Sequence, residues 1–157
     1  MKIRKALEND ATNMALIFNT YIGKSHMVVT PRQEAEFIEL IHHPRVCTLI
    51  VLDIFGGIVG YAYVKPYSDR GGYAGAGEVS IFLWEGRTGE GFGQKLYDLL
   101  LPAAEALGYH HLTAKIWTEN TGSIRFHERN GFRTVGIQHG IGKSGGRRVD
   151  VTIMERV

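Results

Sequence analysis

Glu78-Val-Ser-Ile-Phe-Leu-Trp84 runs into Arg87-Thr-Gly-Glu-Gly-Phe-Gly93, and Gln94-Lys-Leu-Tyr-Asp-Leu-Leu-Leu101 follows. The order reads as an apolar strand, a glycine-rich turn and the opening of a long helix. The helix is expected over residues 94–107, with Leu96, Leu99, Leu100, Ala103 and Leu107 on one apolar face and Gly108 as its stop. A second strand is expected over residues 111–117. The resulting β-α-β unit makes the middle of the sheet locally parallel.

A strand, a glycine turn and a helix N-terminus together form an anion site. Unpaired N–H groups point outward, the helix dipole favours negative charge, and missing side chains let a phosphate approach. Spacing separates the ligand classes that use this device. A dinucleotide fingerprint needs glycine at 89, 91 and 94, but position 94 is Gln94. A P-loop needs Gly-Lys-Ser/Thr to close the turn, and Gln94-Lys95-Leu96 does not supply it. Gly142-Lys143-Ser144 comes closer, but the first glycine of that pattern falls on Ile137 and no helix-forming sequence follows, so a loop is expected there.

Working outward, a short strand is expected near residues 2–6 and a helix over about 10–21, with Met14, Ile17, Phe18 and Tyr21 at helical spacing. Thr30-Pro-Arg-Gln33 opens a second helix that Pro44 ends. Residues 46–54 and 58–64 flank Phe55-Gly56-Gly57 as an antiparallel hairpin. A glycine-rich segment over 70–77 precedes the strand at 78–84. A helix over 121–130, stopped by Gly131, and strands near 132–138 and 147–156 complete the chain.

The 157 residues suit one domain, with 44% hydrophobic and 22% charged residues. A net charge of +2 gives no electrostatic case for nucleic acid or an anionic membrane as partner. The single cysteine, Cys47, lies in an apolar strand and reads as a structural thiol in a reducing compartment. Met1-Lys-Ile-Arg-Lys5 does not open a signal peptide, and no run approaches the ~20 apolar residues of a membrane span, so a cytoplasmic location is expected. His42-His43 and His110-His111 are adjacent pairs whose side chains diverge, and no carboxylate or cysteine cluster stands at ligand spacing, so no metal is expected.

The glycine turn resembles the pyrophosphate-binding turn of GNAT acetyltransferases, written Gln/Arg-x-x-Gly-x-Gly/Ala. Gly91 and Gly93 occupy its glycine positions and Gly89 adds a third; Thr88 stands where Gln or Arg is usual, with Arg87 one residue early. Downstream, Asn120-Thr-Gly-Ser123-Ile-Arg-Phe-His127-Glu-Arg-Asn-Gly131-Phe132 resembles the same superfamily's Asn-x-x-Ala/Ser-x-x-x-Tyr-x-x-x-Gly-Phe. The resemblance covers about residues 1–155. Glu78-x-Ser80, His127 in the usual Tyr position, and Arg70 and Tyr73 in the preceding loop are similar to the phosphinothricin acetyltransferase group. The chain departs from that group at Ser68 and Ala74, often Arg there, at Met27-Val28-Val29, and at Lys143 and Arg148, usually aromatic.

The resemblance implies one GNAT domain over 1–157, of mixed α+β fold. Its central twisted sheet is mostly antiparallel with a splayed parallel pair, flanked by about four helices. It implies acetyl-CoA as co-substrate. Arg87, Thr88, Gly89, Gly91, Phe92, Gly93 and Gln94 would meet the pyrophosphate. Backbone of Ile81, Phe82 and Leu83 would meet pantetheine and the reacting carbonyl, and Asn120 would hydrogen-bond the pantetheine arm. Ser123 would cap its helix or touch the cofactor. The acceptor would be a small-molecule amine, an amino acid or an analogue of the phosphinothricin or methionine sulfoximine type, met by Arg70, Tyr73 and Glu78. Acetylation of a peptide or protein amine and a non-catalytic acetyl-CoA-binding module are the alternatives. A homodimer through the carboxyl-terminal strands is also implied.

Acetyl transfer needs a deprotonated amine, a held thioester and a donor for the oxyanion. Glu78, at the start of an apolar central strand, is the candidate base; its bland reading is a solvated strand-end charge. Withdrawing a carboxylate from water raises its pKa above the usual ~4.3 and improves it as a base. The N–H of Leu83 is the candidate oxyanion donor. His127 stands as acid for the departing thiolate, as a cofactor or substrate contact, or as a structural histidine.

Overall fold

Alternating apolar strands and amphipathic helices assemble into one seven-stranded sheet with helices on both faces. The computed structural model describes residues 1–24 and 30–157. Met27, Val28 and Val29, singled out above as departures, lie outside the described residues. The elements are β1 (Lys2–Lys5), α1 (Ala11–Asn19), α2 (Glu34–His42), β2 (Cys47–Leu52), β3 (Ile58–Pro66), β4 (Ala76–Leu83), α3 (Phe92–Ala106), β5 (His111–Trp117), α4 (Thr121–Arg129), β6 (Arg133–Ser144) and β7 (Arg147–Arg156).

Among the described residues the strand order is β1-β2-β3-β4-β5-β7-β6, and only β4 and β5 run parallel. Period-two alternation sends Ala62, Val64, Val79, Leu112 and Ala114 to one face, where α3 covers them. Ile50, Tyr61, Tyr63 and Phe82 point to the other face and pack against Met14, Ile17 and Phe18 of α1 and Phe37 of α2. The mixed α+β expectation, with its parallel centre, matches this arrangement.

Three local expectations shift. First, α3 begins at Phe92, two residues early, and buries Phe92, Leu96, Tyr97, Leu100, Leu101 and Ala104, while Leu99 is 52% exposed. Leu99-Leu100-Leu101 is apolar on three sides of a helix, so spacing alone leaves the stripe's rotation open; Tyr97 and Leu101 turn it away from Leu99. Second, α2 starts at Glu34, because Gln33 is its N-cap and its N–H donates to the Glu36 carboxylate at 2.8 Å. Thr30 and Pro31 precede the helix. Third, Gly142-Lys143-Ser144 belongs to β6, paired with Val149, Arg148 and Arg147, so the expected loop is the far half of a long hairpin. Register shifts after Thr134 and Gln138 hid that strand's continuity.

Candidate active site

β4 and β5 are in register only at Ala76↔His111, Gly77↔Leu112 and Glu78↔Thr113. Past Glu78 each strand keeps only its outer neighbour: β4 follows β3 to Gly60↔Leu83, and β5 follows β7 to Trp117↔Val151. The pair therefore splays. The Trp84 N–H donates to the Val59 carbonyl at 2.9 Å. Since antiparallel bonding alternates, the peptide groups of Leu83 and Ile81 turn away from β3 and into the opening. Phe82 turns its peptide toward β3 and its ring into the core against Phe18 and Tyr61. Only the outer two of the three expected backbone contacts thus reach the gap. The Tyr21 hydroxyl donates to the Leu83 carbonyl, which leaves the Leu83 N–H as the group facing the opening.

A cleft of about 1190 Å3 runs through this opening, with Ile81, Asn120 and Ser123 along it and Glu78, Tyr73 and Lys115 on the other side. At its glycine turn the chain has a ready phosphate seat. Gly91 is the N-cap of α3 with φ +86°, and a Cβ placed there meets nothing within 4 Å. The first hydrogen bond of the helix runs from the Lys95 N–H to the Gly91 carbonyl, so the N–H groups of Phe92, Gly93 and Gln94 have no helical acceptor. Gly93 has a different reason to be glycine: its Cβ would stand 3.3 Å from Ile81 Cδ1, so its absence lets α3 meet β4.

Side chains around the turn are already engaged. Arg87 donates to Glu90 at 2.9 Å, lies 3.7 Å from Asp53 and covers the Phe92 ring at 5.1 Å, and the Glu90 contact raises its pKa most. The Gln94 amide bonds Asp98 and Asn130, so its contribution to an anion is its N–H. Thr88 and Gly89 are exposed in the turn. Asn120 is the N-cap of α4, its Oδ1 accepting the Ser123 N–H at 3.2 Å. The capping role sketched for Ser123 therefore belongs to Asn120, because Ser123 lies three residues inside the cap. These features, bare N–H groups at an uncluttered helix start and an unpaired strand edge, fit acetyl-CoA: anion at the turn, amide-bearing arm along the edge.

On the cleft wall, the Glu78 side chain is 18% exposed and its Oε2 lies 3.4 Å from Lys115 Nζ. The carboxylate is half-buried beside a cation, not enclosed by apolar groups alone. Tyr73 lines the cleft and packs on Tyr67, whose ring lies 5.7 Å from Lys115 Nζ. Arg70 does not line it; its N–H is turned to the Ser68 hydroxyl and the residue is exposed. Arg45 pins this loop by donating to the carbonyl of Ala74 at 2.8 Å. Lys143 reaches the cleft from β6, whereas Arg148 points to the Gly140 carbonyl. Lys115 and Tyr67 escaped the sequence reading. A register argument finds Lys115: Thr113 faces Glu78, and two residues on, Lys115 shares its face.

His127 is 3% exposed. Its Nδ1 lies 2.8 Å from the Ser123 carbonyl, which only accepts, so Nδ1 carries the proton and Nε2 accepts from the Tyr97 hydroxyl at 2.8 Å. Burial is the largest influence and holds the imidazole below its ordinary pKa, outweighing the Ser123 bond. Tyr97, fully buried, is pushed well above the usual phenol range. Tyr97→Phe leaves Nε2 buried without a donor and is expected to cost about 1–3 kcal/mol of stability, read from denaturant unfolding. An unchanged midpoint would contradict this hydrogen bond.

Residues 3–153 match the family described as acetyltransferase (GNAT) domain. The chain is 30% identical to the phosphinothricin N-acetyltransferase of Streptomyces coelicolor, over 99% of this chain and 95% of that protein. It is 33% identical to the L-methionine sulfoximine/L-methionine sulfone acetyltransferase of Pseudomonas paraeruginosa, over 68% of this chain and 62% of that protein. Among solved structures, the GNAT superfamily phosphinothricin acetyltransferase of Sinorhizobium meliloti in complex with AcCoA superposes with a TM-score of 0.92 at 28% identity, covering 99% of this chain and 86% of that one. The match over residues 3–153 and the likeness along almost the whole chain to the Streptomyces coelicolor protein show that the chain belongs to the GNAT acetyltransferase family, acyltransferases whose acetyl donor is acetyl-CoA.

Proposed function

We propose that the protein acetylates the primary amine of a small amino acid or close analogue, with Glu78 receiving the amine proton. The carrying observation is the place of Glu78: it lines the cleft at the last registered pair of β4 and β5, where the two strands begin to part. An ammonium entering from the acceptor side loses its proton to Glu78, directly or through one water. The Leu83 N–H, free of β3, donates to the carbonyl oxygen as charge grows on it; such a donor is typically worth about 3 kcal/mol. His127 has no proton on Nε2 to give. Its bonds to Ser123 and Tyr97 support a positioning role, fixing α4 so that Asn120 and Ser123 face the cleft. The names of the relatives, acting on phosphinothricin and on methionine sulfoximine, support the small-acceptor class.

Product analysis by mass spectrometry, after incubation with acetyl-CoA and a mixed panel of amino acids and peptides, tests this reading. N-acetylated small amines are expected; acetylation confined to peptides would replace it with the protein-acceptor reading.

Phosphinothricin itself is expected to be a poor member of the panel. Ser68 and Ala74 supply no guanidinium for a phosphinate and Arg70 stands outside the cleft, so the loop offers no bidentate partner, and the arginine that does line the cleft, Arg32, lies over the Phe18 ring at 4.5 Å. A screen ranking phosphinothricin first by kcat/KM would overturn this. A homodimer through β6 and β7 is part of the same reading, supported by exposed Val135, Ile137 and Ile141 on β6, and light scattering reports it.

A further inference from the structure

The Glu78–Lys115 pair sits in the acceptor cleft and has an odd composition for a structural ion pair. One partner is a half-buried carboxylate; the other is a lysine side chain 48% exposed, bonded to no other carboxylate among the described residues. An ion pair with so much water access contributes little to holding two strands together. It does set two opposite charges 3.4 Å apart on the wall of the cleft.

We infer that this pair is the recognition element for an α-amino-acid zwitterion, with Lys115 Nζ binding the acceptor's α-carboxylate while Glu78 binds its α-ammonium. This rests on the amino-acid reading above and names the side chain that tells an amino acid from an amine without the carboxylate. An α-amino acid holds its two charges one carbon apart, so docked against the pair it brings a positive group to Glu78 and a negative group to Lys115. The four charges then alternate in sign around a ring. An amine without the carboxylate meets Lys115 as a like charge at the same distance from its target, and competes with it for Glu78.

Other cations on the cleft are placed less well for this task. Arg32 lies over the Phe18 ring at 4.5 Å, Lys143 comes from the far hairpin, and Lys65 makes no ion pair with Glu78 although it is its cross-strand neighbour. The second carboxylate there, Glu155, is held by Arg133 and His111 at 2.8 and 3.1 Å. Its pKa is lowered by Arg133 first and His111 second. It is therefore committed, and Glu78 with Lys115 is the pair left open to exchange. The Tyr67 ring, packed on Tyr73 and 5.7 Å from Lys115 Nζ, offers the ammonium a face on the cleft wall while it changes partners.

The test measures kcat/KM for common L-amino acids, L-methionine sulfone and L-methionine sulfoximine, each against the matching amine that lacks the carboxyl group. It uses the full-length protein, Lys115→Met and Lys115→Arg, with folding checked by circular dichroism. The wild type is expected to favour the amino acids by about tenfold or more, the scale of one charge-assisted contact. Lys115→Met should bring that preference close to parity, through a higher KM for amino acids and a lower KM for the carboxyl-free amines. Lys115→Arg should restore much of it. A preference that survives in Lys115→Met would overturn the inference and leave the amino-acid reading intact, whereas wild-type preference for the carboxyl-free amines would overturn both. No turnover of either series would overturn the small-amine reading, and the inference with it.

Discussion

Glu78→Gln is expected to lower the acetyl-transfer rate about 100-fold or more at neutral pH, the usual scale for losing a general base. The amide keeps the shape of the side chain and removes its basicity. Acetyl-CoA affinity should be nearly unchanged, because Leu83 and the glycine turn lie outside the residues that line the cleft around Glu78. Folding should also hold, since the Lys115 ammonium that loses its partner is half exposed and water replaces the carboxylate. The deficit should shrink as pH rises, because more acceptor then arrives already deprotonated and needs no base. One pH–rate series on both proteins, with a single acceptor, reads both effects. A parallel fall in acetyl-CoA binding would make Glu78 structural, and an unchanged rate at neutral pH would place the base at another residue.

Gly91→Val is expected to abolish measurable acetyl-CoA binding while the protein stays folded. Two effects act at that position. With φ at +86°, a β-branched residue is strained by about 1–3 kcal/mol, which shifts the local backbone that aims the first N–H groups of α3. Its side chain also enters space that no protein atom occupies within 4 Å, where an approaching phosphate needs room. Because that space is open, no core contact is broken, and far-UV circular dichroism should match the wild type. Gly93→Val is the contrasting control: its Cβ meets Ile81 at 3.3 Å, so it should destabilise the fold itself. Undiminished affinity in folded Gly91→Val, by calorimetry, would remove this turn from the binding site.

The strands and helices that carry the site were legible because each has a clear period or punctuation mark. Residues 111–117 alternate cleanly, and Gly131 ends α4 where expected. The long β6 was not legible beyond residue 138, because glycines and register shifts interrupt its alternation. Within the site, the glycine turn was legible because a helix start is local, whereas Asn120 came from the resemblance of its motif and its capping role had been sketched for Ser123. The states of His127 and Lys115 depend on partners far along the chain, and that of Arg70 on the path of its loop. Arg70 is turned out by its own loop, and His127 is satisfied by Tyr97, thirty residues earlier. Lys115 matters only once the register of β5 against β4 is known. A motif names such a residue but does not say whether its polar atoms are already taken.

Thiol release from acetyl-CoA, followed continuously with and without small amino acids, is the measurement that bears most directly on catalysis at the splayed strands. The predicted result is release that rises and saturates with the acceptor, with one N-acetylated product formed per thiol. Binding of acetyl-CoA without acceptor-dependent release across the panel would contradict it and leave a non-catalytic binding module in its place.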